Sequence, residues 1–403
     1  MTSAPEDLPK PKPSLIDQGG KVDPLAIIRA ANDAKQADDP DASADESSDD
    51  APTRVRFVLS RDLDKRLDKY LTDRIPFMSR TQLQRLIDNE AVTVNNRLPK
   101  ASTRLRAGDV VDVIVPPPPA KDIQPEPIPL EVLYEDDDLI VLNKQPDIIV
   151  HPARSHLKGT MLNALAHHFL HNTSGALSSV GEDFARPGVV HRLDRHTSGV
   201  IVFAKRDEPH WRLGKQFERR QVDKRYLALV HGEIETPTDV VDQPLGPHPS
   251  REKGLREKYV VRHDHLGKPA VTIYRVRERY NGYTLVELEL KTGRTHQIRI
   301  HLSWLGHPIV GDDMYGGRIL HPSDVLPPHA ITSPTPLIAR QALHATILAF
   351  THPVTQTPMR FTAPLREDMA SLIHLLRAHR PGLGPIDVSG ATVDLHTAIP
   401  DSL

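Results

Sequence analysis

The chain predicts an α+β protein: a large domain on a mixed, largely antiparallel sheet, preceded by a small α/β module. Three observations carry this. Past residue 130, short apolar runs rich in β-branched residues dominate, with a few helical periods between them. Residues 54–115 hold two helical periods and three short alternating runs, a unit complete in itself. Between the two lies PPPPAKDIQPEPIP (116–129), a stiff, extended linker of the polyproline type.

The elements follow in order. Residues 1–53 read as a mostly disordered acidic tail. DDPDASADESSDD (38–50) has too little apolar surface to order itself, and a short helical pattern over 24–31 predicts a transient helix. VRFVL (55–59) reads as a strand. SRDLDKRLDKYLTDRI (60–75) spaces Leu63, Leu67, Tyr70 and Leu71 as on a helix, and Ser79 is a suitable N-cap for RTQLQRLIDNE. AVTVNNRLP is a strand running into an Asn-Asn turn, and LRAGDVVDVIVP a Gly-Asp turn with an alternating strand.

From 130 to 378 the large domain follows. LEVLYEDDDLIVLNKQP gives two strands about an acidic turn, TMLNALAHHFL a helix, GVVHRLDRHTSGVIVFAK strand, turn and strand, and PHWRLGKQFERRQ a helix. KRYLALVHGEI is a strand. YTLVELELKTGRTHQIRIHLSWLG is a strand, a Thr-Gly turn and a second element, and RQALHATILAFTHP a strand-like run or short helix. Residues 316–340 form a long Pro-rich loop, and 379–403 lack a period and read as a loosely held tail.

Charge separates these parts. The 403 residues sum to −2, but 1–53 carry −7 and 54–115 carry +5, while the remainder balances. A basic module therefore sits behind an acidic tail, as suits a polyanionic partner. The absence of cysteine excludes disulfides, Cys-ligated zinc and thiol catalysis. No apolar run reaches the roughly 18 residues of a membrane span, and the acidic, Pro-rich start resembles neither a signal nor a transit peptide. Cytoplasm is the expected compartment and no membrane is expected as partner. No coiled-coil pattern calls for an oligomer, so a monomer is expected.

Three clusters can carry chemistry. In HRLDRHTSG (191–199), Asp194 stands between Arg192 and Arg195, which hold a carboxylate ionised. Such an acid can be a nucleophile, a base or half of a structural ion pair. In LKTGRTHQIRIHL (290–302), Gly293 permits a tight turn, and Arg294, His296, Arg299 and His301 follow it. Two arginine clusters in a neutral domain suit an anion such as a phosphate backbone. In VDKRYLALVHG (222–232), Tyr226 opens an apolar strand, as a core tyrosine with a wet hydroxyl or as a platform for a flat base. The histidine pairs 191/196 and 296/301 are spaced five apart, which aligns them poorly on helix or strand, so no metal is expected.

RLDKYL…SRTQLQRLIDNEAVTVNN…LRAGDVV resembles the small alpha-L RNA-binding domain of a ribosomal small-subunit protein. That resemblance implies that Arg61, Lys65, Arg66, Arg80 and Arg85 meet RNA. The large domain resembles the RluA-type pseudouridine synthases, through LEVLYEDDDLIVLNKQP, RPGVVHRLDRHTSGVIVFAK, QFERRQVDKRYLALVHGE, LKTGRTHQIRIHLSWLGHPIVGDDMYGG and QALHA…FTHP. One departure is NKQP (143–146), where Lys-Pro is expected at once.

This second resemblance implies isomerisation of uridine to pseudouridine, most simply in large-subunit ribosomal RNA, with no cofactor and no metal. Asp194 is then the essential carboxylate, acting on the ribose as nucleophile or base. Arg299 pairs with it, Arg294 being the substitute candidate. Tyr226 stacks on the uracil, and Arg192 fills the place of the flipped nucleotide. His296 binds substrate, and Leu343 or Ile309 closes the apolar side. Transfer RNA remains an alternative substrate, and a non-catalytic RNA-binding or assembly factor an alternative role. A glycoside hydrolase would want a second catalytic acid.

Overall fold

The computed structural model describes residues 15–17, 19–23, 26–27, 53–78, 80–88, 90–115, 123–151, 158–173, 176–178, 187–250 and 258–400. The acidic run 38–50, most of the 24–31 pattern, Ser79, the Arg85 side chain and linker residues 116–122 lie outside these. The chain divides into two compact units, Met1–Ala120 and Lys121–Pro152 with His156–Leu403.

In the first unit, β1 (Thr53–Val58), β2 (Val92–Val94) and β3 (Val110–Val115) form an antiparallel sheet in the order β1-β3-β2. Helices α1 (Leu67–Arg74) and α2 (Arg80–Asp88) bury Leu67, Tyr70, Leu71, Leu83 and Ile87 in one core with Val55, Phe57, Val92, Val111 and Val113. The first helix starts later than the periodicity suggests, because Asp64 takes a left-handed φ of 43° and Arg66 bridges Arg104 first. Asn95 and Asn96 both have positive φ, 51° and 60°, the pair of values a two-residue hairpin demands. Part of the acidic tail is ordered: Val22 and Ile27 join this core, and Val22 N–H donates to the Arg74 carbonyl at 2.7 Å.

The second unit is built on nine strands: β4 (Val132–Glu135), β5 (Leu139–Lys144), β6 (Ser198–Ala204), β7 (Asp223–His231), β8 (Thr238–Asp242), β11 (Val271–Tyr280), β12 (Tyr283–Leu290), β13 (Leu343–Thr351) and β14 (Pro358–Thr362). A separate pair is made by β9 (Leu245–Pro247) and β10 (Tyr259–Val261). The main order is β4-β5-β6-β13-β7-β12-β11-β8, with β14 beside β13. All pairings are antiparallel except β6 with β13. The mixed, largely antiparallel sheet is the one expected. Its central strands are buried on both faces, which is why they read as unbroken apolar runs.

Helices α3 (Met161–His171), α4 (Asp207–Glu218), α5 (Gln297–Trp304), α6 (Pro322–Val325), α7 (Glu367–His379) and α8 (Leu395–Ala398) complete it. Two expectations change, for 190–197 and for the C-terminal tail, and the readings left open are decided. Residues 190–197 form no strand, because their backbone is held by side chains from elsewhere (below). The run after the Thr-Gly turn is a helix, and 343–351 is a strand. The Pro-rich loop is anchored, with Leu320, Val325 and Ile338 in the core. The C-terminal segment to residue 400 is no loose tail: Val393, Leu395, Ala398 and Ile399 are buried in the main core.

Candidate active site

Asp194 lies on the irregular segment that enters β6. Thr197 N–H donates to the Asp194 carbonyl at 3.1 Å, closing a turn. Lys144, fully buried at the end of β5, donates to the carbonyls of Arg195 and Thr197 at 2.7 and 2.8 Å. Arg340 donates to the His196 carbonyl at 3.1 Å. Two long cations thus satisfy the carbonyls that a strand would have paired, and the turn is rigid without being regular. Gly199, at φ 115°, lets β6 meet β13: a Cβ there would stand 2.2 Å from the Ala345 carbonyl oxygen.

The facing wall comes from residues 292–299. Gln297 Oε1 accepts from the Thr292 hydroxyl at 2.8 Å and from Arg294 N–H at 3.0 Å, which ties the turn to the head of α5. His296 precedes the helix in the left-handed region, at φ 52°, and its Nδ1 lies 2.8 Å from the Tyr315 hydroxyl. One turn in, buried Arg299 donates from Nη1 to Asp194 at 3.3 Å. Its Nε and Nη2 donate to Asp312 at 2.7 and 2.8 Å, and its guanidinium carbon lies 5.0 Å from the Tyr315 ring centre.

Tyr226 stands on β7, paired with Leu288 of β12 and Ala345 of β13, and Leu343 begins β13. A cavity of about 510 Å³ is lined by Arg192, Asp194, Tyr226, Arg294, His296, Arg299 and Leu343. That falls within the roughly 300–1,000 Å³ of small-ligand pockets, enough for one extruded nucleotide. Arg192 is at its exposed rim, 3.5 Å from the Thr295 hydroxyl. Arg294 Nε donates to the Pro269 carbonyl at 3.2 Å, so Arg299 and not Arg294 holds the Asp194 carboxylate.

Ile309 is not on the cavity. Residues 308–310 pair by backbone with β7, through His231 N–H to Pro308 and Val310 N–H to Leu229, so Ile309 is fully buried in the core.

Burial would push the Asp194 carboxyl upward, but His296, Arg299 and Arg192 outweigh it and hold the group below the usual carboxylate range. Burial, reinforced by the Asp194 charge, pushes the Tyr226 phenol far up. The site therefore presents an ionised acid beside a neutral phenol at neutral pH.

The four histidines form hydrogen bonds. His191 Nε2 accepts from Val202 N–H at 3.1 Å, and His196 pairs with Asp147. His301 lies 2.8 Å from the Thr272 hydroxyl and 3.0 Å from the Gln243 carbonyl, and His296 meets Tyr315 as above.

In the first unit Arg61 is exposed, and Lys65 pairs with Asp73 at 2.7 Å. Arg66 and Arg80 converge on buried Asp68, at 3.1 and 2.7 Å, with their own side chains about half exposed. The sequence reading overlooked Asp68, Lys144, Asp312 and Tyr315. Asp68, Asp312 and Tyr315 stand inside stretches already singled out, RLDKYL and GDDMYGG, as acids and a phenol with no evident partner.

The RNA pseudouridylate synthase family model matches residues 138–304 and the S4 domain model residues 65–111. An uncharacterized RNA pseudouridine synthase, YlyB of Bacillus subtilis (strain 168), is 41% identical over 78% of this chain and 94% of its own length. Ribosomal large subunit pseudouridine synthase D of Escherichia coli O157:H7 is 37% identical over 80% of this chain and 93% of its own. The solved structure of human RNA pseudouridylate synthase domain containing 4 aligns with a TM-score of 0.47 at 25% identity, over 61% of this chain and 93% of that one. At such identity over nearly the whole length of these relatives, the chain belongs to the RNA pseudouridine synthases, isomerases whose partner is RNA.

Proposed function

We propose that this protein converts specific uridines of large-subunit ribosomal RNA to pseudouridine in the cytoplasm, as a monomer, with Asp194 as the essential carboxylate. The observation that carries the reading is the Arg299–Asp194 pair, 3.3 Å apart, on the wall of a cavity that also holds Tyr226 and Leu343. The substrate class comes from the Escherichia coli relative, which acts on the large ribosomal subunit by its name.

The reaction breaks the bond from uracil N1 to the ribose anomeric carbon, turns the uracil, and joins its carbon 5 to that same carbon. The proton of carbon 5 is lost and N1 gains one, so atoms balance without a co-reactant. An ionised acid is needed at the sugar, either to bond to the anomeric carbon or to take a sugar proton, and Asp194 supplies it. Glycosidases use carboxylates against similar positive charge. Arg299 keeps the carboxylate ionised and aimed. Tyr226 and Leu343 sandwich the uracil, which keeps the detached base from leaving. Tyr226 is a neutral phenol, so it helps remove the carbon 5 proton only by passing its own proton onward. Arg192 at the rim enters the helix as the target nucleotide leaves it. His296 and Arg294 bind the nucleotide beside the acid.

The basic module, 54–115, anchors structured RNA through Arg61, Lys65, Arg66, Arg80 and Arg85, supplying affinity and not sequence choice. The test is pseudouridine mapping on large-subunit ribosomal RNA incubated with wild type and with Asp194→Asn. New pseudouridine from wild type alone supports the reading. None from either, with tight RNA binding, removes this substrate and turns attention to transfer RNA.

A further inference from the structure

One corner of the cavity plays no part in the chemistry above. It is the turn between α4 and β7 with the start of β7, where Arg220 of the turn and Lys224 of the strand line the cavity with His191 and Phe217. Arg220 follows the helix at φ 59°, where a glycine or asparagine is the usual occupant. Its N–H donates to the Phe217 carbonyl at 3.1 Å, so the left-handed position is fixed by the end of the helix. A bulky residue in that conformation stores some strain.

Lys224 is half-buried, and its Nζ lies 3.6 Å from where a Cβ on Gly293 would stand, on the opposite wall. Among the described residues, neither Arg220 nor Lys224 has a carboxylate partner. The adjacent acid Asp223 pairs with Arg225 at 2.8 Å, and Glu218, which also lines the cavity, is exposed. Burial and then the Arg220 charge lower the Lys224 ammonium below its usual range. His191 adds a donor: its Nε2 accepts from Val202 N–H, so the neutral ring carries its proton on Nδ1.

We propose that Lys224 and Arg220 form an anion subsite that holds one phosphodiester beside the extruded uridine. Two like charges are set together without a counter-ion, and Asp194 on the same cavity is engaged by Arg299. A phosphodiester of the bound strand is the anion that the substrate itself brings. Clamping it fixes the ribose over Asp194, independently of the contacts made by the uracil. The subsite rests on the proposed RNA reading.

The test is a double-mutant cycle between protein and RNA. Target-site oligonucleotides carry one neutral methylphosphonate at each linkage around the target uridine in turn. Wild type is compared with Lys224→Gln and with Arg220→Asn, which keeps the left-handed backbone accessible. At one linkage, neutralisation is expected to lower wild-type kcat/KM about tenfold and to lower that of the variants no further. Each variant also reduces the salt dependence of RNA binding by about one charge. Lys224→Arg, which restores the charge, should recover kcat/KM and separates charge from packing. Additive losses at every linkage, or an unchanged salt dependence, overturn the subsite. If wild type modifies none of the RNAs, the functional reading fails, and the same cycle read as binding affinity still decides the subsite.

Discussion

Asp312 grips Arg299 with two hydrogen bonds, 2.7 and 2.8 Å, while the same guanidinium reaches Asp194 with one at 3.3 Å. The shorter, paired contact is with the residue that cannot touch substrate, since Asp312 is 1% exposed. Arg299 is therefore oriented from behind. Asp312→Asn keeps the shape but leaves Arg299 less well held. Activity should fall on the order of 100-fold, the usual cost of misplacing a catalytic group by about 1 Å. Removing one partner of a buried pair should also cost about 3 kcal/mol of stability. Pseudouridine formation under single turnover and urea unfolding check both. Wild-type rate in Asp312→Asn would refute the orienting role.

The pH dependence follows from the same charges. Asp194 is held below the ordinary carboxylate range, against the effect of its burial, by His296, Arg299 and Arg192. A depressed carboxyl is ionised at every pH above the usual range, so wild type should show no acid limb near neutrality. In Arg299→Met, half-buried Asp194 and buried Asp312 lose their shared cation, and the acid limb should move up toward neutral pH. Tyr226, pushed up by burial and by Asp194, should contribute no alkaline limb below about pH 10, the ordinary phenol value. The measurement is the single-turnover rate from pH 5 to 10. An acid limb at the same pH in both proteins would contradict this account of Asp194.

In the basic module, Asp68 is fully buried and bonded to both Arg66 and Arg80. Burial would raise its carboxyl, but bonds from the two arginines and from Lys69 N–H hold it far below the usual range. Its stabilising effect is thus present above the ordinary carboxylate pKa and lost only as pH falls well below it. Asp68→Asn removes the charge on which Arg66 and Arg80, the two arginines proposed to meet RNA, are aligned. RNA binding should weaken several-fold with little change in salt dependence, because both cations remain, whereas Arg66→Gln should reduce that dependence by about one charge. Equal salt slopes for the two variants would show that Arg66 makes no phosphate contact.

How far the sequence reached can be judged at single residues. Asp194, Tyr226 and Arg299 were legible through the family resemblance, since the local patterns alone, an acid among arginines, a tyrosine heading an apolar strand and arginines after a Gly turn, also suit a structural ion pair and a core tyrosine. The buried strands β5, β6, β7, β12 and β13 were legible from their apolar runs, whereas β8, β11 and β14 were not read. Asp312 was not legible, because its meaning lies in a bond to a residue 13 positions away that only the fold creates. Lys144 looked like the end of a strand, although its ammonium holds carbonyls about 50 residues on. Ile309 was misplaced because an apolar residue near a motif can face core or cavity, and only the pairing of 308–310 with β7 decides. The C-terminal segment 379–400 was misread since irregular segments bury side chains without any period.

One buried and one half-buried histidine are expected to limit the acid stability of the second unit. His344 is fully buried, its Nδ1 2.9 Å from the Ser198 hydroxyl and its Nε2 3.1 Å from the Ala363 carbonyl. Burial pushes it down to about 3, Arg340 and Arg366 adding to the shift and the Ala363 carbonyl opposing it. His191 is likewise down to about 3, through burial and then Lys224. A histidine with a lowered folded pKa stabilises fully above its unfolded value near 6.5, and that contribution is lost as pH falls from there toward 3. At pH 5 His344 should cost about 2 kcal/mol, and half-buried His191 less, against the roughly 5–15 kcal/mol that holds a domain together. Through His344 alone, stability should thus fall by about 1 kcal/mol per pH unit between pH 6 and 4. His344→Gln should be less stable at pH 7.5, having lost a bond, yet its stability should fall less steeply with acid. The check is urea unfolding of wild type and variant at pH 7.5, 6, 5 and 4. Parallel curves would mean that His344 takes up no proton on unfolding in this range.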